Sequence, residues 1–260
     1  MILTLQLLGY CLVFYLFCVL FMYFAQERFI FFPTASAHRS HQYRHVDDYR
    51  LSRGEVELAG WLVNPERAAD RLILYYGGNA EDVFLNIEEY QAIDAATLFV
   101  AYRGYGPSGG KPAEREIYAD ALAVFDDVAQ GLRPRRVFLI GRSLGSAVAS
   151  YVASQRPVSG VALITPFDSL AEVARTHYPW LPVSLLLKHR FSSCEHARAI
   201  ACPVLVIYGG RDQVVAPRHT EKLLACLPPQ SERLFLPFAD HGNIDMHEDY
   251  WRRLLLFLGG

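Results

Sequence analysis

Ser143 lies at the centre of a Gly-x-Ser-x-Gly segment, residues 141–145, between an apolar stretch at 136–140 and a small-residue stretch at 146–150. This order predicts a strand, a sharp turn and a helix, with the serine hydroxyl projecting from the turn. The flanking glycines remove side chains that would collide there. The motif alone occurs by chance in many chains, but its strand and helix context favours a nucleophilic serine.

A serine hydroxyl becomes a good nucleophile when a histidine takes its proton and a carboxylate orients that histidine. For a serine on this kind of turn, the acid and then the histidine follow along the chain. Asp212 comes directly after the apolar run 204–208, and His241 follows the run 233–236. Asp168 also follows an apolar run and is the alternative acid. The order therefore predicts a Ser143–Asp212–His241 triad, with Asp212 favoured over Asp168.

Ester chemistry at a serine also needs two backbone N–H groups that bind the developing oxyanion. Leu144 directly follows the serine and is the first predicted donor. The second is expected from the loop 77–82, where Asn79 is the candidate and Gly78 lets the backbone approach the substrate. The alternative interpretation of this loop is a glycine turn before a helix that Asn79 caps. Both interpretations are compatible.

The elements that must hold these residues alternate between short apolar strands and helical stretches from residue 71 to residue 257. Alternation of this kind predicts an α/β fold, with a mostly parallel central sheet covered by helices on both faces. Ligands of such sheets bind at the carboxyl ends of the strands, where the three triad candidates lie. Residues 46–51 and 56–63 are predicted as antiparallel strands at one edge of the sheet. The hydrolytic domain is thus expected to span residues 46–260.

One segment, about 168–201, lacks the strand pattern and contains aromatic and aliphatic residues bounded by prolines. It is interpreted as a small lid over the site, with Trp180 as a substrate contact. An ordinary connection with its own helix is the alternative, and such connections often line pockets.

Residues 1–26 carry no charged side chain, and the apolar run within them exceeds the roughly 20 residues that cross a bilayer. They are predicted to form a membrane anchor, followed by an interfacial segment and linker at 27–45. A cleaved signal peptide is the alternative, because Ala35-Ser36-Ala37 resembles a cleavage site. Arg28, Arg39 and Arg44 follow the span and no basic side chain precedes it, which favours a cytoplasmic domain.

The overall composition argues against several other functions. The net charge is -2, from 25 basic and 27 acidic residues, and the charges are interspersed, so binding to nucleic acid is not expected. Cys194, Cys202 and Cys226 are too few and too irregularly spaced for a disulfide framework or a metal cluster, and structural thiols are expected. His41 and His45 have helical metal-ligand spacing but no supporting ligands, which favours a solvated linker. The sequence therefore predicts no metal and no organic cofactor.

Together these motifs resemble the α/β-hydrolase superfamily, and more closely its membrane-anchored branch similar to BEM46 and to the ABHD13 and ABHD17 type hydrolases. The resemblance runs from about Phe29 to His241 through FFP (31–33), YYGGNA (75–80), YRGYG (102–106), GRSLG (141–145), GRD (210–212) and DH (240–241). It implies catalytic roles for Ser143, Asp212 and His241, and oxyanion roles for Leu144 and Asn79.

The sequence departs from the pattern of that branch in two loops. Gly77 and Glu81 replace the histidine and the last glycine of the family's oxyanion loop, and Ala101 replaces an aspartate that often precedes the YRGYG loop. These changes are expected to affect the rate and the substrate preference more than the reaction class.

The sequence thus predicts a membrane-anchored serine hydrolase that cleaves an ester or thioester through an acyl-enzyme. Its expected partner is a small-molecule acyl substrate, with membrane-derived acyl groups favoured over soluble polar substrates. Two alternatives stay open: a peptidase that uses the same triad, and a non-catalytic membrane protein on a hydrolase fold.

Overall fold

A computed structural model describes residues 2–34 and 43–259 of the chain. Its first element is helix α1, Ile2–Ile30, which continues beyond the predicted anchor boundary at Gln26. The helix is long and apolar enough to cross a membrane, with a mean hydropathy of 2.3 over its most apolar stretch. The cleavage-site motif at 35–37 and the candidate ligand His41 lie outside the described residues.

The described part of the domain contains an eight-stranded sheet in the order β1-β2-β4-β3-β5-β6-β7-β8. Strand β2 runs antiparallel to β1 and β4, and the pairs from β4 through β8 are parallel. The predicted antiparallel edge and parallel centre are both present. The strands are β1 Val46–Arg53, β2 Val56–Val63, β3 Arg71–Tyr76, β4 Ala96–Val100, β5 Arg136–Arg142, β6 Gly160–Ile164, β7 Val204–Gly209 and β8 Glu232–Leu236.

Helices connect these strands and carry the residues that cover the sheet. Helix α8 begins at Pro217, where the fixed proline φ and missing N–H suit the first helical position. Helix α5 is capped by Ser169, whose hydroxyl accepts a hydrogen bond from the Glu172 N–H. The helices of the domain are α2 Ile87–Gln91, α3 Glu114–Leu132, α4 Leu144–Gln155, α5 Leu170–His177, α6 Val183–Leu186, α7 Ser193–Ala197, α8 Pro217–Leu224 and α9 Glu248–Phe257.

The sheet separates two hydrophobic cores because successive strand side chains point to opposite faces. In β3, Leu72 and Leu74 face the larger core with α3, α4, α7 and α8, whereas Ile73 and Tyr75 face the second core with α2 and α9. Central strands buried on both faces read as continuous apolar runs, which is why they were visible in the sequence.

The sequence pattern predicts continuous helices at 82–95 and 244–257, and the structure divides each of them into a 3₁₀ turn and a shorter helix. The stretch 82–95 divides into a 3₁₀ turn, Val83–Asn86, and the short helix α2. The Asp82 side chain accepts a hydrogen bond from the Phe84 N–H, and this local bond favours the tighter turn. The last helix likewise begins with a separate 3₁₀ turn, Ile244–Met246, before α9.

The structure pairs two of the cysteines for which free thiols were expected. Cys194 on α7 and Cys226 just after α8 form a disulfide across Cα atoms 5.4 Å apart. The expectation was wrong for this pair because the two residues are 32 positions apart, and only the packing of α7 against α8 brings them together. Closing a loop of this length contributes about 3–4 kcal/mol to the free energy of unfolding.

Candidate active site

The turn between β5 and α4 has the geometry expected for an exposed serine. Ser143 adopts φ 51° and ψ -114°, a region that non-glycine residues rarely enter. Its backbone N–H donates to the Ile164 carbonyl at 2.8 Å. A Cβ at Gly145 would lie 1.9 Å from the Tyr76 carbonyl oxygen, and one at Gly141 would lie 2.3 Å from the Gly145 carbonyl oxygen. Gly145 is therefore required for the close approach of the elbow to the end of β3, and Gly141 is required for the tight turn from β5 into α4.

The structure brings Ser143, His241 and Asp212 into one hydrogen-bonded chain. His241 Nε2 lies 3.0 Å from Ser143 Oγ, and His241 Nδ1 lies 2.7 Å from Asp212 Oδ2. The other Asp212 oxygen accepts hydrogen bonds from the N–H groups of Val214 and Val215 at 2.9 and 2.8 Å. Asp212 is buried, so these contacts fix its carboxylate against the histidine.

Asp168, the alternative acid, has a different histidine partner. Its Oδ1 lies 2.8 Å from Nδ1 of the buried His219, and its Oδ2 lies 3.7 Å from Lys222 Nζ. His219 Nε2 is in turn 3.1 Å from Thr176 Oγ1 on α5. This second carboxylate–histidine pair connects α8 to the lid.

Leu144 directly follows the serine, and Asn79 follows Gly78, where a Cβ would lie 3.7 Å from Ser143 Cβ. Leu144 is the first residue of α4, where helical N–H groups have no partner within the helix. Among the residues that the structure describes, neither the Leu144 N–H nor the Asn79 N–H donates to an acceptor. The Asn79 side chain is occupied, because its Oδ1 accepts from Tyr105 OH at 2.8 Å and from the Phe32 N–H at 3.2 Å. The backbone N–H groups of Leu144 and Asn79 are thus both free of protein acceptors in the described residues, and their oxyanion roles stay predictions.

Glu81, noted in the sequence only as a departure from the family pattern, fixes the loop that carries the predicted donor Asn79. Its carboxylate accepts hydrogen bonds from the Gly78 N–H at 2.5 Å, from Tyr75 OH at 2.7 Å and from Asn86 Nδ2 at 2.6 Å. The missing glycine is therefore replaced by a side chain that ties the loop to β3 and to the following 3₁₀ turn. A glutamate three residues after a glycine carries no sequence signal for this role.

Arg142 is a second positioning residue that sequence reasoning missed. Its Nη1 donates to Asp245 Oδ2 at 2.9 Å, and its Nη2 donates to the His241 carbonyl at 3.3 Å. Burial works against the charge of Arg142, but the nearby Tyr75, Glu81 and Asp245 raise its pKa above the ordinary value. The guanidinium therefore stays charged and holds the loop that carries the histidine.

Replacement of Glu81 by alanine is expected to lower kcat by up to about 10²-fold, the lower end of the loss when one oxyanion-hole donor is removed. The reason is that Gly78 and Asn79 lose the carboxylate that fixes their loop. Steady-state kinetics on a soluble ester, with circular dichroism as a fold check, measures the effect. Glu88→Ala on the exposed face of α2 is the control. Equal kcat for the two variants would show that catalysis does not depend on the support that Glu81 gives to the loop.

The lid segment contains α5, α6 and α7 and contacts helix α1 as well as the domain. Together with α1 it lines a partly open, mostly apolar cavity of about 240 Å³ that extends to Asn79. Trp180 does not line this cavity; its side chain is exposed, and its carbonyl accepts a hydrogen bond from Tyr15 OH on α1 at 3.1 Å. The substrate contact assigned to Trp180 stays a prediction, whereas Leu181 and Leu186 line the cavity directly.

Comparison with known proteins gives relatives of one family. The chain matches the family model described as alpha/beta hydrolase domain over residues 110–247. An uncharacterized protein of Mycobacterium tuberculosis is 33% identical over 237 residues, which cover 88% of this chain and 84% of that protein. Lysophosphatidylserine lipase ABHD12 of Danio rerio is 28% identical over 210 residues, covering 70% of this chain and 55% of that protein.

Among solved structures, an esterase of Pyrococcus furiosus superposes with a TM-score of 0.71 at 18% identity, covering 88% of this chain and 95% of that one. The fold and the sequence relatives define one class of protein, and this chain belongs to the α/β-hydrolase family. The fold class predicted from the sequence is confirmed, as is the resemblance to the ABHD-type branch.

Proposed function

We propose that this protein is a membrane-anchored serine hydrolase that cleaves a carboxylic ester or thioester through an acyl-enzyme on Ser143. The observation that supports the proposal is the hydrogen-bond chain from Ser143 Oγ through His241 to Asp212, with contacts of 3.0 and 2.7 Å. Its position at the carboxyl ends of parallel strands is where ligands bind in sheets of this kind. Membership of a hydrolase family supports a hydrolytic reaction, and the mostly apolar lining of the cavity supports an apolar acyl group.

In the proposed reaction, Ser143 Oγ attacks the acyl carbon while its proton passes to His241 Nε2. Asp212 stabilises the imidazolium, and the N–H groups of Leu144 and Asn79 bind the oxyanion. The imidazolium then protonates the departing alcohol or thiol, which leaves the acyl group on the serine. A water molecule, deprotonated by the same histidine, attacks this acyl-enzyme, releases the carboxylic acid and restores the free serine.

The proposed reaction class is tested by a panel of substrates that share one acyl group. Butyryl p-nitrophenyl ester, butyryl thioester and a matched butyryl anilide separate oxygen ester, thioester and amide cleavage. Turnover of the ester or thioester that stops after treatment with a fluorophosphonate is the expected result. Cleavage confined to the anilide or to peptides would replace the esterase assignment with the peptidase alternative.

Helix α1 is proposed to remain attached and to anchor the enzyme in a membrane. The predicted result is that the full chain, with its original amino terminus, stays in the membrane pellet after carbonate extraction, because the apolar span exceeds the length needed to cross a bilayer. Amino-terminal sequencing of the extracted protein provides the check. Release of a chain that begins near His38 would show that the preceding residues are a cleaved signal peptide and not an anchor.

We infer the side of the membrane on which the domain lies from the charged residues next to the span. Arg28, Arg39 and Arg44 after the span favour a cytoplasmic domain. The disulfide between Cys194 and Cys226 opposes this orientation, because such bonds form and persist chiefly in oxidising compartments. A cytoplasmic domain therefore predicts that both thiols are alkylated when intact cells are treated with a permeant maleimide. Alkylation only after reduction would place the domain on the opposite side.

A further inference from the structure

The apolar cavity beside the active site has one wall that belongs to the anchor helix. Helix α1 contributes Met22, Phe29 and Ile30 to the lining, and the lid contributes Val173, Leu181 and Leu186. The two sets of side chains face each other across about 240 Å³ of space. The domain alone would leave this side of the cavity open.

The helix is held against the lid by specific polar contacts. Gln26, the buried polar residue of α1, donates to the Leu186 carbonyl at 3.1 Å and accepts from the Lys188 N–H at 2.8 Å. Lys188 Nζ also lies 4.6 Å from the ring centre of Tyr23. Each contact joins a residue of α1 to the lid, so the helix and the lid form a fixed pair in this structure.

The cavity reaches the loop that lies beside the nucleophile. Asn79 lines its inner end, and a Cβ at the neighbouring Gly78 would lie 3.7 Å from Ser143 Cβ. Helix α1 also carries exposed apolar side chains, which include Phe24 and Phe21. The cavity therefore lies between helix α1 and the loop beside Ser143, and among the described residues that line it Asn79 is the one that belongs to this loop.

We propose that this cavity binds the acyl chain of a membrane lipid ester, and that α1 forms one wall of the acyl site as well as the anchor. The proposal rests on the serine hydrolase function given above and adds the substrate class and its route. The acyl chain slides from the bilayer between α1 and the lid and reaches Ser143 without passing through water. The head group stays at the membrane surface.

The free energy of such a transfer favours this route. Moving an apolar chain from lipid into an apolar cavity exposes no hydrocarbon to water, whereas drawing it into solution first would forfeit the hydrophobic contribution of every methylene. The cavity is smaller than the roughly 300–1,000 Å³ of pockets that enclose a whole drug-sized ligand. Its size suits one chain of a lipid whose remainder stays in the bilayer.

Two pairs of variants test whether α1 and the lid form the walls of the acyl site. Met22→Trp and Leu186→Trp fill the cavity from the helix and from the lid, whereas Phe24→Trp and Leu185→Trp place a tryptophan at neighbouring exposed positions. The full-length protein in phospholipid nanodiscs is assayed with butyrate and palmitate esters. The filled variants are expected to lower the palmitate-to-butyrate activity ratio at least about tenfold, a change within the range that chain fit in an apolar pocket produces. The two exposed variants are expected to keep the wild-type ratio.

A second measurement uses the wild-type protein and depends on no substitution. A palmityl-length fluorophosphonate with a diazirine at the far end of the chain attaches to the active serine, and light then couples its end to the nearest residues. Coupling to the α1 peptide that contains Met22 is the expected result. Coupling confined to the domain peptides, or a palmitate-to-butyrate activity ratio unchanged in both filled variants, would contradict the proposal that α1 forms a wall of the acyl site. Butyrate turnover that continues in either case would leave the proposed hydrolase function intact, whereas a wild-type protein with no ester turnover and no probe attachment would remove both.

Discussion

Replacement of Ser143 by alanine is expected to lower turnover by roughly 10⁴-fold or more, the usual loss when a triad nucleophile is removed. The alanine lacks the oxygen that lies 3.0 Å from His241 Nε2, so no acyl-enzyme forms. The fold is expected to remain, because the turn is fixed by the backbone bond from Ser143 N–H to the Ile164 carbonyl. Ester hydrolysis under saturating substrate measures the loss.

Ser150→Ala is the matched control for this substitution. Ser150 lies on the following helix, and its buried hydroxyl has no hydrogen-bond partner among the described residues. Its removal is therefore expected to leave turnover at the wild-type value. Comparable turnover in Ser143→Ala and Ser150→Ala, with both proteins folded, would exclude the elbow serine as the nucleophile.

Replacement of Asp212 by asparagine is expected to lower kcat by about 10⁴-fold, the loss seen when an asparagine fixes the wrong tautomer of a catalytic histidine. The amide keeps the size of the carboxylate but loses the charge that faces His241 Nδ1 at 2.7 Å. It also loses the stabilisation of the imidazolium that forms in the transition state. The kcat of folded protein on a soluble ester is the quantity to measure.

Asp168→Asn provides the comparison because it makes the same chemical change at the other buried carboxylate–histidine pair. Asp168 contacts His219, so its substitution is expected to reduce thermal stability and to change kcat far less than Asp212→Asn. Thermal denaturation followed in parallel separates the two effects. A greater loss of kcat at Asp168 would move the catalytic acid to the end of β6.

The central sheet was predictable because its strands are local apolar runs. Residues 71–76 and 204–209 are buried on both faces, and such strands need no long-range information to be recognised. The elbow was also visible, since the two glycines that approach Tyr76 and the neighbouring backbone are required by local sterics. The pairing of Asp212 with His241 followed from the known chain order of triads, and its catalytic role stays a prediction.

Other features depend on contacts between distant segments and left no pattern in the sequence. The disulfide joins residues 32 positions apart, and Gln26 contacts lid residues 160 and 162 positions away. Glu81 acts through the backbone of Gly78, and a single glutamate near a turn is usually solvated. The proposed role of the anchor as a cavity wall also depends on contacts between distant segments. Hydropathy identifies a span without showing what packs against it.

The most direct test of a Ser143 acyl-enzyme is to map the residue that a fluorophosphonate modifies in the wild-type protein. The full-length enzyme is labelled in membranes, digested and analysed by tandem mass spectrometry, with prior incubation with an excess of ester substrate as the competition control. A single phosphonylated residue, Ser143, whose labelling the substrate suppresses, is the predicted result. Attachment to another serine, or no attachment in a protein that hydrolyses esters, would contradict it.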